Sequence, residues 1–338
     1  MRYELAALTV VASLAAAAAI PARGEEPITL KFGFPAPVTS YVNTEGMTPW
    51  LEQVEKASGG TLQIKLFAGP TLGTFRDIYE RTLNGVSQIS FGVFGPLANQ
   101  FPRTQVTGLP FLSDNTKTSS VALWRLYAKG LLKPELDKVK VLALFNFPSS
   151  TLNTTKPVKS VEDLKGMKIA VSSRTLGEVA AALGASPVTL TPTELYQGMS
   201  RGVVDAVFVA WTAVKTFKLD EVTKDHLEVP VGEAPAYVFM NAATYASLPA
   251  KAKQAIDKLS GESFSERLGA NNQAADDEES KLVATKPGHE VSRISDAQYA
   301  IWKTRIQPVV DEWIKTTPDG AKVYSAYQDE LKRVTAAK

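Results

Sequence analysis

The chain has 338 residues, with 37 basic and 35 acidic side chains, a formal charge of +2 and no cysteine. That balance leaves no footprint for nucleic acid or an anionic membrane surface, and the missing thiols exclude disulfides, thiolate metal sites and a cysteine nucleophile. A chain of this length buries about three quarters of its unfolded surface and as a rule divides into two domains.

The N-terminus reads as an export signal. Arg2 precedes an uncharged, mostly apolar run from Leu5 to Ile20, too short for the ~20 apolar residues of a spanning helix. Small residues follow, with Ala22 and Gly24 placed for cleavage before Glu25, or cleavage after Ala22 itself, so residues 1–24 are read as a signal peptide and the expected location is the periplasm. Without Arg2, Glu4 and Arg23 the formal charge falls to +1. No second stretch reaches membrane-spanning length, so the mature chain is expected to be soluble and to need a membrane partner for any action across the bilayer.

From Thr29 short β-prone runs alternate with longer amphipathic segments, the pattern of an α/β protein. Strands are expected at Thr29–Phe34, Thr61–Phe67, Gln88–Val93, Val139–Phe147, Met167–Val171 and Val204–Ala210. Met47, Trp50, Leu51 and Val54 stand at helical spacing over Gly46–Ala57, and Gly59-Gly60 ends that helix. Domain crossings are expected near Pro148–Thr155 and near Pro230–Tyr237. After Pro249, Ala252, Ala255, Ile256, Leu259, Phe264 and Leu268 keep one face of a helix that runs towards Lys286, long enough to span both domains, with Gly261 and Gly269 counting against it. Ser295–Val334 is helical again.

Little in the chain carries catalysis. His226 and His289 sit among charged neighbours and are expected on the surface, without an HExxH or carboxylate cluster beside them. No nucleophile elbow, P-loop or GxGxxG stands at a strand-to-helix turn. The run Asp276-Asp-Glu-Glu reads as a solvated helix face rather than a calcium site. No metal, cofactor or enzymatic activity is expected. The informative stretch is the strand ending at Val171 and the helix starting near Thr175, which set Ser172, Ser173 and the first helical N–H groups at the strand's carboxyl end, a natural anion seat. Ser173 reads equally as an ordinary N-cap and Arg174 as a solvated first-turn residue.

Leu30-Lys-Phe-Gly, Leu66-Phe-Ala-Gly-Pro-Thr-Leu-Gly, Leu109-Pro-Phe-Leu, Leu164-Lys-Gly-Met-Lys-Ile-Ala-Val, Leu183-Gly-Ala-Ser-Pro-Val, Thr193-Glu-Leu-Tyr, Gly202-Val-Val-Asp-Ala and Asn241–Leu248 occur in that order. Together they resemble the extracytoplasmic solute-binding subunit of tripartite ATP-independent periplasmic (TRAP) transporters, of the dicarboxylate-binding type, over nearly the whole mature chain. The resemblance implies an α/β, two-lobed periplasmic-binding-protein fold with a ligand cleft between the lobes and a long helix spanning both. Read with the two crossings, it gives residues 25–148 and 236–275 to one lobe and 149–235 and 276–338 to the other. It also implies a receptor, expected as a monomer, that closes on a small organic acid and delivers it to membrane permease subunits.

The family's usual ligand-pairing arginine falls at Ala170, its Glu-Asn-Pro run is replaced by Val207-Phe-Val-Ala-Trp211, and another cleft arginine falls near Ser149 or Ser150. Because a carboxylate buried without a cation or several donors costs several kcal/mol, Arg174 is expected to supply the charge, helped by Ser172, Ser173 and the helix terminus, with Ser150 nearby. Phe94, Phe145, Phe147, Phe208, Trp211, Tyr237 and Phe239 would line an apolar pocket for an aromatic or hydrophobic monocarboxylate, or would be ordinary core. The loss of arginine at position 170 also admits a neutral or non-carboxylate solute.

Overall fold

The computed structural model describes residues 26–336; the export segment expected over residues 1–24 lies outside them. The chain opens with β1 (Ile28–Phe34), α1 (Thr48–Ala57), β2 (Leu62–Ala68), α2 (Ile78–Leu83), β3 (Ile89–Val93), α3 (Thr116–Ala128), α4 (Lys133–Leu136) and β4 (Val139–Phe147). It then runs through β5 (Thr151–Thr154), β6 (Lys168–Val171), α5 (Arg174–Ala182), β7 (Ser186–Thr189), α6 (Leu195–Ser200), β8 (Ala206–Val209), α7 (Trp211–Thr216) and β9 (Asp225–Glu228). It returns along β10 (Ala234–Asn241), α8 (Ala242–Ser247), α9 (Ala250–Leu259) and α10 (Glu262–Ala284), and finishes with β11 (Glu290–Arg293), α11 (Asp296–Thr316) and α12 (Gly320–Ala336).

Two sheets result, with strand orders β2-β1-β3-β10-β4 and β11-β9-β5-β8-β6-β7. β1 runs parallel to β2 and β3, β10 is antiparallel to both β3 and β4, and β6 is parallel to β7 and β8. Every residue of β3 is buried, as are seven of the eight in β10. Such unbroken burial marks strands covered on both faces rather than on one. One side of the first sheet carries Trp50 stacked on Phe264 with centroids 5.1 Å apart, and the indole N–H donates to the Leu259 carbonyl at 2.9 Å.

The expected six strands are all present, and both crossings carry the chain between sheets, at residues 148–150 and 229–233. The helix expected to run from residue 250 towards Lys286 is two helices: Gly261 at φ +88° turns the chain between α9 and α10. The remaining α10, 23 residues and about 34 Å long, continues through Gly269 and packs on α3 and β4 of the first lobe and on α7 and β11 of the second. The helical tail is likewise two helices. α11 packs on α5, but α12 turns back to α3, where Val323 and Tyr327 join Leu123 and Leu126 in the first lobe's core. Residues 276–338 therefore do not all belong with the second sheet.

One of the two histidines is not a surface residue, and the other is only part-exposed. His226 is 1 % exposed and its ring stacks on His289 with centroids 5.4 Å apart. The Asp276-Asp-Glu-Glu run also divides, because a helix face repeats every 3.6 residues: Asp276 and Glu279 are buried while Asp277 and Glu278 are exposed. Among the described residues no cluster of three or more metal-ligating side chains occurs, and no helix is long and apolar enough to cross a membrane.

Candidate functional site

In open α/β sheets a ligand sits beyond the carboxyl ends of the strands, because loops there are free to diverge and helix N-termini point inward. Four strand ends of this chain meet at one such place. Ala36 and Ser40 follow β1, Gly95 follows β3, Ser172 and Ser173 follow β6, and Ala210 and Thr212 follow β8; all line one cavity between the lobes, of about 970 Å³ counted to its solvent-open mouth. The lobes are closed around it. Gly95 lies against Ser172 so tightly that a Cβ at position 95 would be 2.3 Å from the Ser172 carbonyl oxygen, and Phe217 packs against hydrophobic clusters of both lobes.

The walls are mostly apolar. Phe75, Phe91 and Phe147 come from the first lobe, and Leu176, Phe208 and Val209 from the second. Phe75 and Phe147 both meet Phe91 edge-on, at 6.0 and 6.3 Å between centroids, a geometry that leaves ring faces and edges for an aromatic guest. At one end Ser173 caps α5, accepting from the Leu176 amide at 3.2 Å, and Ser172 and Ser173 both line the cavity. Ser150 lines it too.

Arg174 does not. Its side chain is 70 % exposed and its Nε donates to Glu178 at 2.8 Å, in a groove outside the cavity shared with Asn99 and Thr191. As the first residue after an N-cap it points away from the strand end, and Glu178 four positions on captures it. Four of the expected aromatic wall residues are core instead. Phe94 packs edge-on against Phe101 at 5.0 Å, Tyr237 stacks on Phe239 at 4.0 Å, and Phe145 is fully buried beside Phe91. Trp211 also turns away, donating from Nε1 to Glu228 at 3.2 Å and resting on His226. Ala170 is fully buried among Leu195, Met199 and Val207, so no cation enters from β6.

The α7 N-terminus, a second potential anion seat, is filled from within: Asp276 of α10 accepts from the Thr212 amide at 2.9 Å. Burial pushes the Asp276 carboxyl up to about 7, against the lowering effect of that hydrogen bond.

Several cavity residues carry no sequence signal. Ser40, Gln105, Thr212, Glu233 and Asn272 line it as single polar residues in loops and helix faces. Among the described residues of the wall, Glu233 is the one carboxyl and Tyr41 the one phenol, with no lysine, arginine or histidine. Glu233 is 5 % exposed, sits on the second crossing, and its amide donates to the Thr107 carbonyl at 3.3 Å. Burial pushes its carboxyl up to about 8.

A two-lobed body closed on an interdomain cavity now has a sequence counterpart. The model of bacterial extracellular solute-binding protein family 7 matches residues 37–316. The chain belongs to that family. It is a TRAP-type solute-binding subunit, and its kin are binding receptors rather than enzymes. It is 29 % identical, over 79 % of this chain and 80 % of the other, to the "Outer membrane transporter protein TsaT" of Comamonas testosteroni. A TRAP solute-binding protein from Rhodoferax ferrireducens, solved with copurified benzoate, superposes with a TM-score of 0.88 at 26 % identity, covering 92 % of this chain and 99 % of that one. A marine metagenome TRAP protein specific for aromatic acid ligands, solved with 3-hydroxybenzoate, gives 0.87 at 27 % identity, covering 91 % and 99 %.

Proposed function

We propose that this family 7 subunit captures a small aromatic or hydrophobic monocarboxylate and hands it to the membrane subunits of a TRAP transporter. The observation that carries the reading is the aromatic-walled interdomain cavity with hydroxyls at one helix end. Phe147 and Phe208 would hold the ring by edge and face contacts, while the polar side chains of the wall, Ser150, Ser172 and Ser173 among them, would meet the polar groups of the ligand. The aromatic acids bound by the Rhodoferax and marine proteins support this ligand class.

The receptor would work in the periplasm as a monomer, after removal of residues 1–24. The lobe boundaries fall at the crossings near 148 and 235, as sheet membership supports, with α12 assigned to the first lobe by its packing on α3. A melting-shift screen of aromatic acids, aliphatic acids and neutral solutes tests the reading. Aromatic acids should stabilise the protein most, by about 2.7 kcal/mol at 100 times Kd; a neutral solute winning over every acid would overturn it. Mass spectrometry of the copurifying small molecule identifies the natural ligand.

A further inference from the structure

An organic acid in this cavity meets no cation, and the wall contributes a carboxyl of its own. Three polar side chains of the wall are each more than nine-tenths buried and have an oxygen with no hydrogen-bond partner: Ser40 Oγ, Thr212 Oγ1 and Glu233 Oε2. They come from the first lobe, the second lobe and the crossing between them. A buried polar atom without a partner costs about 1–3 kcal/mol, so three at one cavity mark where a polar guest belongs. We infer that capture is proton-linked: Glu233, carrying its proton, donates to the ligand carboxylate, and the hydroxyls of Ser40 and Thr212 donate beside it.

The chemistry leaves little choice of protonation. Two carboxylates sharing one buried site without a cation repel strongly, and one of the pair takes a proton. Glu233 and the ligand carboxylate then hold one proton and one negative charge between them, in a charge-assisted O–H···O hydrogen bond. The titratable groups whose charge reaches Glu233 are Asp114, ahead of α3, and Tyr327 on α12. Asp114 opposes ionisation of Glu233, the Ser119 hydroxyl favours it, and burial outweighs both.

The inference rests on the organic-acid reading, and calorimetry with benzoate separates the two. For the wild type, benzoate affinity should hold steady below pH 8 and fall about tenfold per pH unit above it, with about one proton taken up per benzoate at pH 9, read from buffers of different ionisation heat. Glu233→Gln, which keeps a donor and cannot ionise, should bind benzoate with no pH dependence and no proton uptake. Ser40→Ala and Thr212→Val should each weaken binding about tenfold. Tight benzoate binding with no pH dependence and no proton uptake in the wild type overturns the role of Glu233 and leaves the organic-acid reading standing. Binding of benzamide with no binding of benzoate overturns both. Should Glu233→Gln fail to fold, the wild-type proton uptake still decides.

Discussion

The Arg76 guanidinium meets the Glu194 carboxylate at 2.8 Å, joining the loop after β2 to the turn after β7 and so tying one lobe to the other. Glu194 is held in place beforehand, since the Thr191 amide and hydroxyl both donate to it, at 2.6 and 2.7 Å. The pair is half exposed, and such pairs contribute up to about 1 kcal/mol. Arg76→Ala should therefore weaken benzoate binding by no more than about fivefold, and the deficit should shrink as salt is raised from 50 to 500 mM. An unchanged off-rate would remove the pair from the closing mechanism.

Arg174 makes a sharper case because sequence reasoning favours it and the geometry does not. With its charge spent on Glu178 at the surface, Arg174→Ala should leave benzoate affinity within about twofold, as an exposed pair of this kind carries little energy. Ser173→Ala removes the α5 cap and should cost about 1 kcal/mol of stability together with measurable affinity. A large loss for Arg174→Ala by calorimetry would return the charge to the ligand.

Closure can be blocked at one point. A valine at position 95 would drive its Cβ into the Ser172 carbonyl, a contact that exists only with the lobes together. Gly95→Val should fold, keep the scattering profile of an open form under saturating benzoate, and lose at least tenfold in affinity. Compaction equal to the wild type would contradict this.

The histidine pair sets an acid limit. Asn153 Nδ2 donates to the Thr151 and Val209 carbonyls, so its Oδ1 accepts from His226 Nδ1 at 2.7 Å; His226 Nε2 then accepts from His289 Nδ1 at 3.1 Å, and His289 Nε2 from the Lys224 ammonium. Every member of this chain requires neutral rings. Burial holds His226 down to about 4 and His289 below its usual range, with the Lys224 charge adding to both. The unfolded chain takes up these protons near pH 6.5, so the stability they represent is complete above that pH and is lost as pH falls towards 4. Melting temperature should drop between pH 7 and pH 4.5, and His226→Gln should flatten the drop. An identical slope in the variant would exclude the pair as its cause.

What the sequence makes legible follows from how local each signal is. β1, β3 and β4 are long, apolar and bounded by turn residues, and they lie within a residue of expectation. β10 was hidden inside an expected crossing, because Pro235 reads as a strand breaker, although its neighbours place it inside a sheet, between β3 and β4. β5, β7, β9 and β11 have four residues each and, unlike the equally short β6 and β8, hold no apolar run that would mark a strand. The Ser172-Ser173 turn was readable since strand, cap and helix follow one another in the chain. Ser40, Thr212 and Glu233 were not, because their burial arises only when loops far apart in sequence converge. For Arg174 the correcting signal was present in Glu178 at the i+4 position.

The place of β10 also constrains how the protein comes into being. It lies between β3 and β4, and α12 covers α3, so the first lobe receives the strand that joins β3 to β4 only after residue 241 has emerged and α12 only after residue 336. Until then the edges of β3 and β4 present unpaired amides and carbonyls, whereas the six-stranded sheet lacks only β11 once β9 is made. The lobe that begins first is thus finished last.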